Sequence, residues 1–319
     1  MADSDRDTDY RLERLTPERL PDLVALHAAT YGPGLTLDGA RRKFATTTLG
    51  HDVIGYLAYD QAGTAAAYYG IFPMRVRLGD RDLLAGQSGD TMTHPDHRGR
   101  GLFTKLGRAT YDDARGSGID FVFGFPNSNS YPGFVKHLGW THVRTMRSYS
   151  LPVPTVPVTA LLRTRPHRLR RLTAAQRRLL VASRLASPAT ALRSSVLEGG
   201  GAGVVRDAAF LAYKGGPEIL TFTQSGVTVH LKLDEHLSVG DLVPEPGARA
   251  WGALARLVLI ALVCGRYRIR FHTSPDSVSD RLIRGRIPVK DGLPYGHVAF
   301  VGDLDPEAFD YTFIDYDTF

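Results

Sequence analysis

Apolar positions across residues 103–115 recur at the three-to-four spacing of an amphipathic helix. The run before them, from Gly86, is apolar but rich in turn formers and leads into Pro95. Together they read as a strand, a tight basic turn through Arg98-Gly99-Arg100-Gly101, and a helix start. Upstream, residues 10–15 alternate like a short strand, and Thr16 with Pro17 behind it makes an N-cap and first-turn pair. The helix they begin carries Leu20, Leu23, Leu26 and His27 and should end near Tyr31-Gly32-Pro33-Gly34. A second helix is expected over 37–47, with strands at 53–59 and 65–73. Residues 75–78 and 82–85 flank Gly79-Asp80 as a hairpin that feeds the basic turn. Further on, 121–125 is a continuous apolar run, as expected of a strand buried on both faces, and 141–151 reads as a returning strand.

The pattern then breaks and starts again. Pro152, Pro154 and Pro157 mark a linker, followed by one or two basic amphipathic helices interrupted at Pro166. Gly199 to Gly203 reads as a flexible joint. Beyond it come strands at 219–223 and 227–233 around a Gln224-Ser225-Gly226 turn, a helix over 249–265 and a strand at 267–273. The alternation of strands and helices predicts an α/β protein with a mixed sheet.

Length changes this picture first: 319 residues favour two units over one. Residues 1–9, acidic and polar, read as a disordered leader without a signal peptide. The longest apolar run, Leu257 to Cys264, is too short to span a bilayer, so a cytoplasmic protein without membrane insertion is expected. One cysteine excludes a disulfide framework and a cysteine-based zinc site within the chain, and buried Cys264 is expected to be inert. The formal charge of +6 suits an anionic cofactor without demanding nucleic acid. Much of that charge is local, since residues 121–197 contain no aspartate or glutamate while 163–193 are dense in arginine. A solvated helix face, a collar steering an anionic ligand, and a membrane or RNA contact all remain readings of that stretch. No RNA-binding motif accompanies it.

Gly99 and Gly101 let successive N–H groups converge, and the following helix start adds unpaired donors. Such a nest suits a pyrophosphate. The turn is neither a Walker loop nor a dinucleotide fingerprint. It resembles the acyl-CoA signature of the GNAT superfamily of N-acyltransferases, R/Q-x-x-G-x-G/A. Arg98 fills the first place, Gly101 the fourth, and Phe103 stands where the family usually has a small residue. Asn129 followed by a short segment ending in Gly139-Trp140 resembles the family's second signature, and the order of elements is similar to the GNAT arrangement. The 204–214 stretch resembles the opening of the second half of tandem GNAT proteins. The resemblance implies a catalytic GNAT domain over 10–151, a linker with basic helices over 152–203, and a degenerate GNAT-like domain over 204–319.

It also implies acetyl-CoA or another acyl-CoA as co-substrate, no metal, and a small-molecule amine as acceptor: an amino-sugar, an amino acid or a natural-product intermediate. A homodimer is compatible with this. The cofactor would be held by Met92, Thr93, Arg98, Gly99, Arg100, Gly101, Leu102, Phe103, Thr104 and Asn129. Direct attack on a thioester needs a base for the ammonium, a donor for the carbonyl oxygen and an acid for the departing thiolate. Asp90 is the first choice of base, although it can equally be tied to Arg98 or a local amide. Met92 or Thr93 supplies the amide for the carbonyl oxygen. The family's thiolate-facing tyrosine is replaced here by Val135, and Tyr131 is the candidate substitute. Asp315, Asp317 or the carboxylate of Phe319 could also serve the acceptor amine. Two other classes stay open: a non-catalytic CoA-binding regulator, and a GNAT-fold transferase using aminoacyl-tRNA.

Overall fold

The computed structural model describes residues 10–162 and 165–319, so the leader expected over residues 1–9 lies outside it, as do Arg163 and Thr164. In chain order come β1 (Arg11–Arg14), α1 (Leu20–Tyr31), α2 (Leu37–Lys43), β2 (Ile54–Tyr59), β3 (Ala65–Leu78), β4 (Arg81–Thr93), α3 (Leu102–Gly116), β5 (Phe121–Gly124) and α4 (Tyr131–His137). Then follow β6 (Thr141–Pro152), α5 (Val158–Leu162), α6 (Pro166–Ala182), β7 (Ser187–Pro188), α7 (Ser195–Glu198), β8 (Gly203–Val204) and α8 (Ala208–Tyr213). The chain ends with β9 (Leu220–Gln224), β10 (Val227–Leu233), β11 (Leu237–Pro244), α9 (Ala250–Val263), β12 (Arg268–Thr273), α10 (Val278–Ile283) and β13 (Val289–Ala299).

Two compact units divide the chain. The first comprises Met1–Val76, Asp82–Arg144 and Pro294–Pro306; the second comprises Arg77–Arg81, Thr145–Leu293 and Glu307–Phe319. Residues 152–203, expected as a linker, thus fall inside the second unit, and the first takes in residues from far downstream.

In the first unit the strand order is β1-β2-β3-β4-β5-β13, with β2 antiparallel to β3, β4 parallel to β5, and β13 antiparallel to β5. One face is covered by α1 and α2 through Leu23, Leu26, Ala40, Phe44, Tyr68, Phe72 and Met92. The other is covered by α3 and α4 through Leu102, Leu106, Tyr111, Phe134 and Leu138. The apolar spacing of α3 accounts for its seat, since Leu102, Leu106, Tyr111 and Ala114 all fall on its buried side. Gly107 lets α4 come close: a Cβ there would sit 2.7 Å from the Leu138 methyls.

Two expected strand breaks do not occur. β3 continues through Pro73, which lies beyond Ile71, the last β3 residue paired with β2, so its missing N–H forfeits no ladder bond on that side. β4 runs on to Thr93 instead of stopping at 85. Gly86 is not a turn residue; a Cβ there would meet Ile71 Cδ1 at 2.6 Å, so its bareness serves packing.

The second unit orders its strands β6-β12-β11-β10-β9-β7. β9, β10 and β11 form an antiparallel meander, α9 crosses over, and β12 returns parallel to β11. This is the topology of β2, β3, β4, α3 and β5 repeated. The strand closing each sheet comes from the other half of the sequence: β13 completes the first and β6 the second. Among the described residues no helix is long and apolar enough to cross a membrane.

Candidate active site

β4 and β5 pair over only three positions, Ala85 with Phe121, Gly86 with Val122 and Gln87 with Phe123. β5 then stops at Gly124 while β4 continues for six residues, leaving a gap along its free edge. Gly124 sits at the vertex, where a Cβ would lie 3.2 Å from the Ser88 carbonyl and 3.1 Å from the Trp140 ring. Behind it a buried chain of hydroxyls fixes the strand: Ser88 Oγ donates to Tyr69 Oη at 3.1 Å, Tyr69 and Tyr111 share a bond of 2.8 Å, and Trp140 Nε1 donates to Tyr111 at 2.6 Å. Burial drives the Tyr69 and Tyr111 hydroxyls well above the ordinary tyrosine range, so they act here as neutral hydrogen-bonding groups.

Asp90 lies on this free stretch with φ of 54°, a left-handed conformation that a short polar residue tolerates better than most. Its carboxylate is not tied to Arg98 or to a local amide. Lys43 Nζ, at the last residue of α2, lies 2.7 Å from Asp90 Oδ1. The two side chains keep 25% and 19% of their surface exposed, and the ammonium stands 5.6 Å from the centre of the Phe72 ring. Tyr31, where α1 ends at Gly32, donates its hydroxyl to the Thr91 carbonyl at 3.0 Å. Partial burial and the Asp90 charge raise its pKa, with Arg98 opposing them. Met92 turns its side chain into the α1–α2 core, and Thr93 precedes the bond from His94 N–H to Ala66 O at 2.8 Å.

The basic turn is open. Arg98, Gly99, Arg100 and Gly101 are all exposed, with φ of 74° at Gly99 and 72° at Gly101. Arg100 is drawn aside, donating to the Asp96 carbonyl at 3.2 Å and to Tyr10 Oη at 3.1 Å. Tyr10 Oη is also joined to His97 Nδ1 at 2.8 Å, which braces the turn from the residue just before β1. The amides of Leu102, Phe103 and Thr104 lead α3, where N–H groups have no acceptor within the helix.

Phe103 points away from the turn. Its ring packs edge-on against Phe134 at 5.0 Å and Tyr69 at 5.9 Å between centroids. Gly133 makes this possible, since a Cβ there would fall 3.0 Å from Phe103 Cε1. Asn129 is exposed; the residue that organises its loop is Asn127, whose Oδ1 accepts from the amides of Asn129 and Ser130, both at 3.0 Å. Tyr131 opens α4 and stands edge-on to His142 at 5.6 Å, its pKa raised by partial burial. Val135 is exposed on the same helix. The structure thus brings Asp90, Met92 and Thr93 together on one strand leading into the turn, with Tyr131 on the helix after β5. Among the described residues no cluster of His, Cys, Asp or Glu could hold a metal ion.

Phe319 lies in the second unit. There β11 pairs with β12 from Leu237 to Val239 and then runs on to Pro244 with β10 beside it but no longer β12, as β4 outruns β5. The free stretch is packed: a Cβ on Gly240 would meet the Phe319 ring at 2.7 Å and Ile314 at 3.0 Å. Lys232 donates to the backbone oxygen of Phe319 at 3.1 Å. Arg206 binds Asp315 at 2.8 and 2.9 Å and also pairs with Asp241, all three side chains being at most 1% exposed. Burial pushes the Asp241 carboxyl up, but Arg206 and the Ser195 hydroxyl and amide outweigh it and hold the carboxyl below its usual range. No arginine-glycine turn precedes α9; residues 245–249 read Glu-Pro-Gly-Ala-Arg. Cys264 is fully buried, its thiol pushed up to about 11 by burial.

Residues 11–143 match the family model of the acetyltransferase (GNAT) domain. Three solved structures resemble nearly the whole chain. A GCN5-related N-acetyltransferase from Kribbella flavida is 16% identical, with 91% of this chain and 71% of that one covered and a TM-score of 0.57. A probable N-acyltransferase from Enterococcus faecalis V583 is 13% identical over 92% and 73%, with a TM-score of 0.59. A GCN5-related N-acetyltransferase from Sphaerobacter thermophilus is 16% identical over 95% and 99%, with a TM-score of 0.52. At these identities the likeness is one of fold. No curated protein matches the sequence.

Proposed function

We propose, from the premise that residues 11–143 are a GNAT acetyltransferase domain, that the first unit transfers an acyl group from acetyl-CoA to a primary amine of a small molecule. One observation carries this reading: β4 outruns β5 and leads directly into an exposed arginine-glycine turn with left-handed glycines at 99 and 101. The diphosphate would lie against the amides from Arg98 to Thr104, with Arg98 adding charge. The pantetheine arm would lie along β4, and its thioester oxygen would meet an amide at Met92 or Thr93.

In this reaction the acceptor ammonium gives one proton to the Asp90 carboxylate and its nitrogen attacks the thioester carbon. The carbon–sulfur bond breaks, the thiolate takes a proton from Tyr131 or from water, and the second amine proton is released to solvent. Free thiols have a pKa near 8.5, so the acid contributes less than the base. The direction of Phe103 supports the placement of the diphosphate, because its ring is spent on Phe134 and Tyr69 and does not narrow the turn. Acetyl-CoA supply fits a cytoplasmic enzyme.

Calorimetric titration with acetyl-CoA, followed by thiol-release assays with amino-sugars, amino acids and polyamines, tests the reading. Micromolar binding with turnover is expected. Binding without turnover on any amine would make the protein a CoA-binding regulator, and no binding would leave the aminoacyl-tRNA class.

A further inference from the structure

Three helices of the second unit come from stretches of sequence that hold no carboxylate. Residues 121–197 and 246–275 contain no aspartate or glutamate, and they supply α5, α6 and α9. α6 and α9 lie side by side and antiparallel. Gln176 Nε2 donates to the Cys264 carbonyl at 2.9 Å at one end, and Arg256 donates to the carbonyls of Arg184 and Leu185 at 2.6 and 3.0 Å at the other. Their inner sides share one core, with Leu180 of α6 and Leu257, Ile260 and Ala261 of α9 fully buried. α5 adjoins the end of α9, where a Cβ on Gly265 would meet Val158 at 2.8 Å.

The outer sides combine bare apolar groups with cations. α9 exposes Trp251, Leu259, Leu262 and Val263, and Trp251 keeps 63% of its surface. α6 exposes Arg168, Arg170, Arg171 and Arg178 with Leu179 and Val181 among them, and α5 exposes Leu161. Most of the large apolar side chains exposed among the described residues lie on these three helices. None of those four arginines has a carboxylate partner among the described residues. The neighbouring acids come from outside: Glu218 pairs with Arg177 at 3.5 Å, and Glu235 flanks α5, its carbonyl accepting from Thr159 at 2.8 Å. Unanswered cations set among leucine, valine and tryptophan suit a surface that lies on anionic lipid. Arginines take the headgroup phosphates, apolar side chains enter the acyl boundary, and an indole favours that interface.

We propose that the face formed by α5, α6 and α9 docks on a membrane surface rich in anionic phospholipid, with α6 and α9 lying in the plane of the interface. This does not depend on the acyltransferase reading, and it asks no helix to cross the bilayer. A second copy of the chain fits the face poorly. A twofold contact broad enough to cover both helices would set arginine against arginine with no carboxylate between them. An RNA backbone would answer the arginines of α6 but leave the apolar side of α9 in water.

The experiment is vesicle flotation with the full chain at low and high salt. It compares phosphatidylcholine alone with phosphatidylcholine carrying about one-third phosphatidylserine. Partitioning at least about tenfold stronger on the anionic vesicles is expected, largely lost at high salt because exposed charges are screened. Arg168→Gln, Arg171→Gln and Arg178→Gln together should weaken it roughly hundredfold, about fivefold for each charge. The chain has two tryptophans and Trp140 is buried, so a blue-shifted emission on vesicle addition, quenched by brominated lipid, reports Trp251 entering the interface. Trp251→Ala should remove that signal and weaken binding severalfold. Absence of binding, equal affinity for the two vesicle types, binding untouched by the three arginine changes, or an unshifted Trp251 emission in the bound state overturns the proposal. So does a dimer that Leu259→Glu dissociates in sedimentation, which gives the face to a second copy, or polyuridylate bound more tightly than the anionic vesicles, which gives it to nucleic acid. Should the triple variant fail to fold, the wild-type salt dependence and lipid quenching still decide.

Discussion

In the first unit β4 outlasts its parallel partner and leaves an edge lined by the partly exposed pair of Lys43 and Asp90; in the second, β11 outlasts its partner and leaves an edge closed by Phe319, Ile314 and the wholly buried Arg206, Asp241 and Asp315. The topology is the same. What separates a usable gap from a packed one is what surrounds the strand's free edge. The charge pair at the first edge can still meet water, being partly exposed. The triad at the second edge cannot, since Arg206 has both its carboxylates and Thr312 within hydrogen-bond distance and no surface to offer. The arginine-glycine turn is present at the first and missing at the second.

The comparison breaks most visibly if the two ion clusters respond alike to substitution. Arg206→Met leaves Asp241 and Asp315 buried without their cation and should cost about 3–5 kcal/mol of stability, read by urea unfolding. A loss under 1 kcal/mol would show that the second edge is not sealed by this triad. Asp90→Asn should do the reverse, lowering kcat by about 10²–10⁴ with little change in the thermal midpoint. Turnover intact at every pH would remove Asp90 as the base.

Acid should separate the units next. Burial pushes His230 and His272 of the second unit down to about 4, and His230 Nε2 accepts from the Arg193 amide at 3.1 Å, which requires a neutral ring. Unfolded histidines titrate near 6.5, so between pH 6.5 and 4 the unfolded chain takes up protons that the folded one refuses. Stability should therefore fall across that window by on the order of 1–3 kcal/mol and be indifferent above it. Hydrogen exchange should show β10 and β12 losing protection, and a shallower profile in a His230→Gln, His272→Gln double variant would confirm them as the main source, with His236 and His297, also lowered by burial, accounting for the remainder. The smallest effect concerns Phe103. Gly133→Ala pushes on its ring and should raise the KM for acetyl-CoA by roughly two- to fivefold; no change would mean the ring can yield elsewhere.

Periodicity carried much of this fold, because α3, β5, β10 and α9 bury faces that the sequence spells out locally. β11 was not legible. Its Gly240-Asp241 reads as a turn, yet the glycine is bare to admit Phe319 and the aspartate is charged to receive Arg206, both far away in sequence. β4 hid in the same way behind Gly86, and β13 behind Gly292, Pro294 and Gly296. At the site, the turn from Arg98 to Gly101 was readable because its chemistry lies in consecutive residues. Lys43 was not, since a cation in the last turn of a helix is ordinary on dipole grounds alone. The direction of Phe103 depended on Gly133, thirty residues on, and Asn127 was passed over for Asn129 because both fit a loop before a short helix.

The exchange of closing strands has a consequence for how the polypeptide is made. As the chain emerges from the ribosome, the amino-terminal sheet has β5 as a raw margin until the residues of β13 have been synthesised. Some 165 positions of nascent protein separate the two, counted from Gly124 to Val289. Neither half can be cut free and expected to mature alone, and a premature stop late in the message would injure the part translated first.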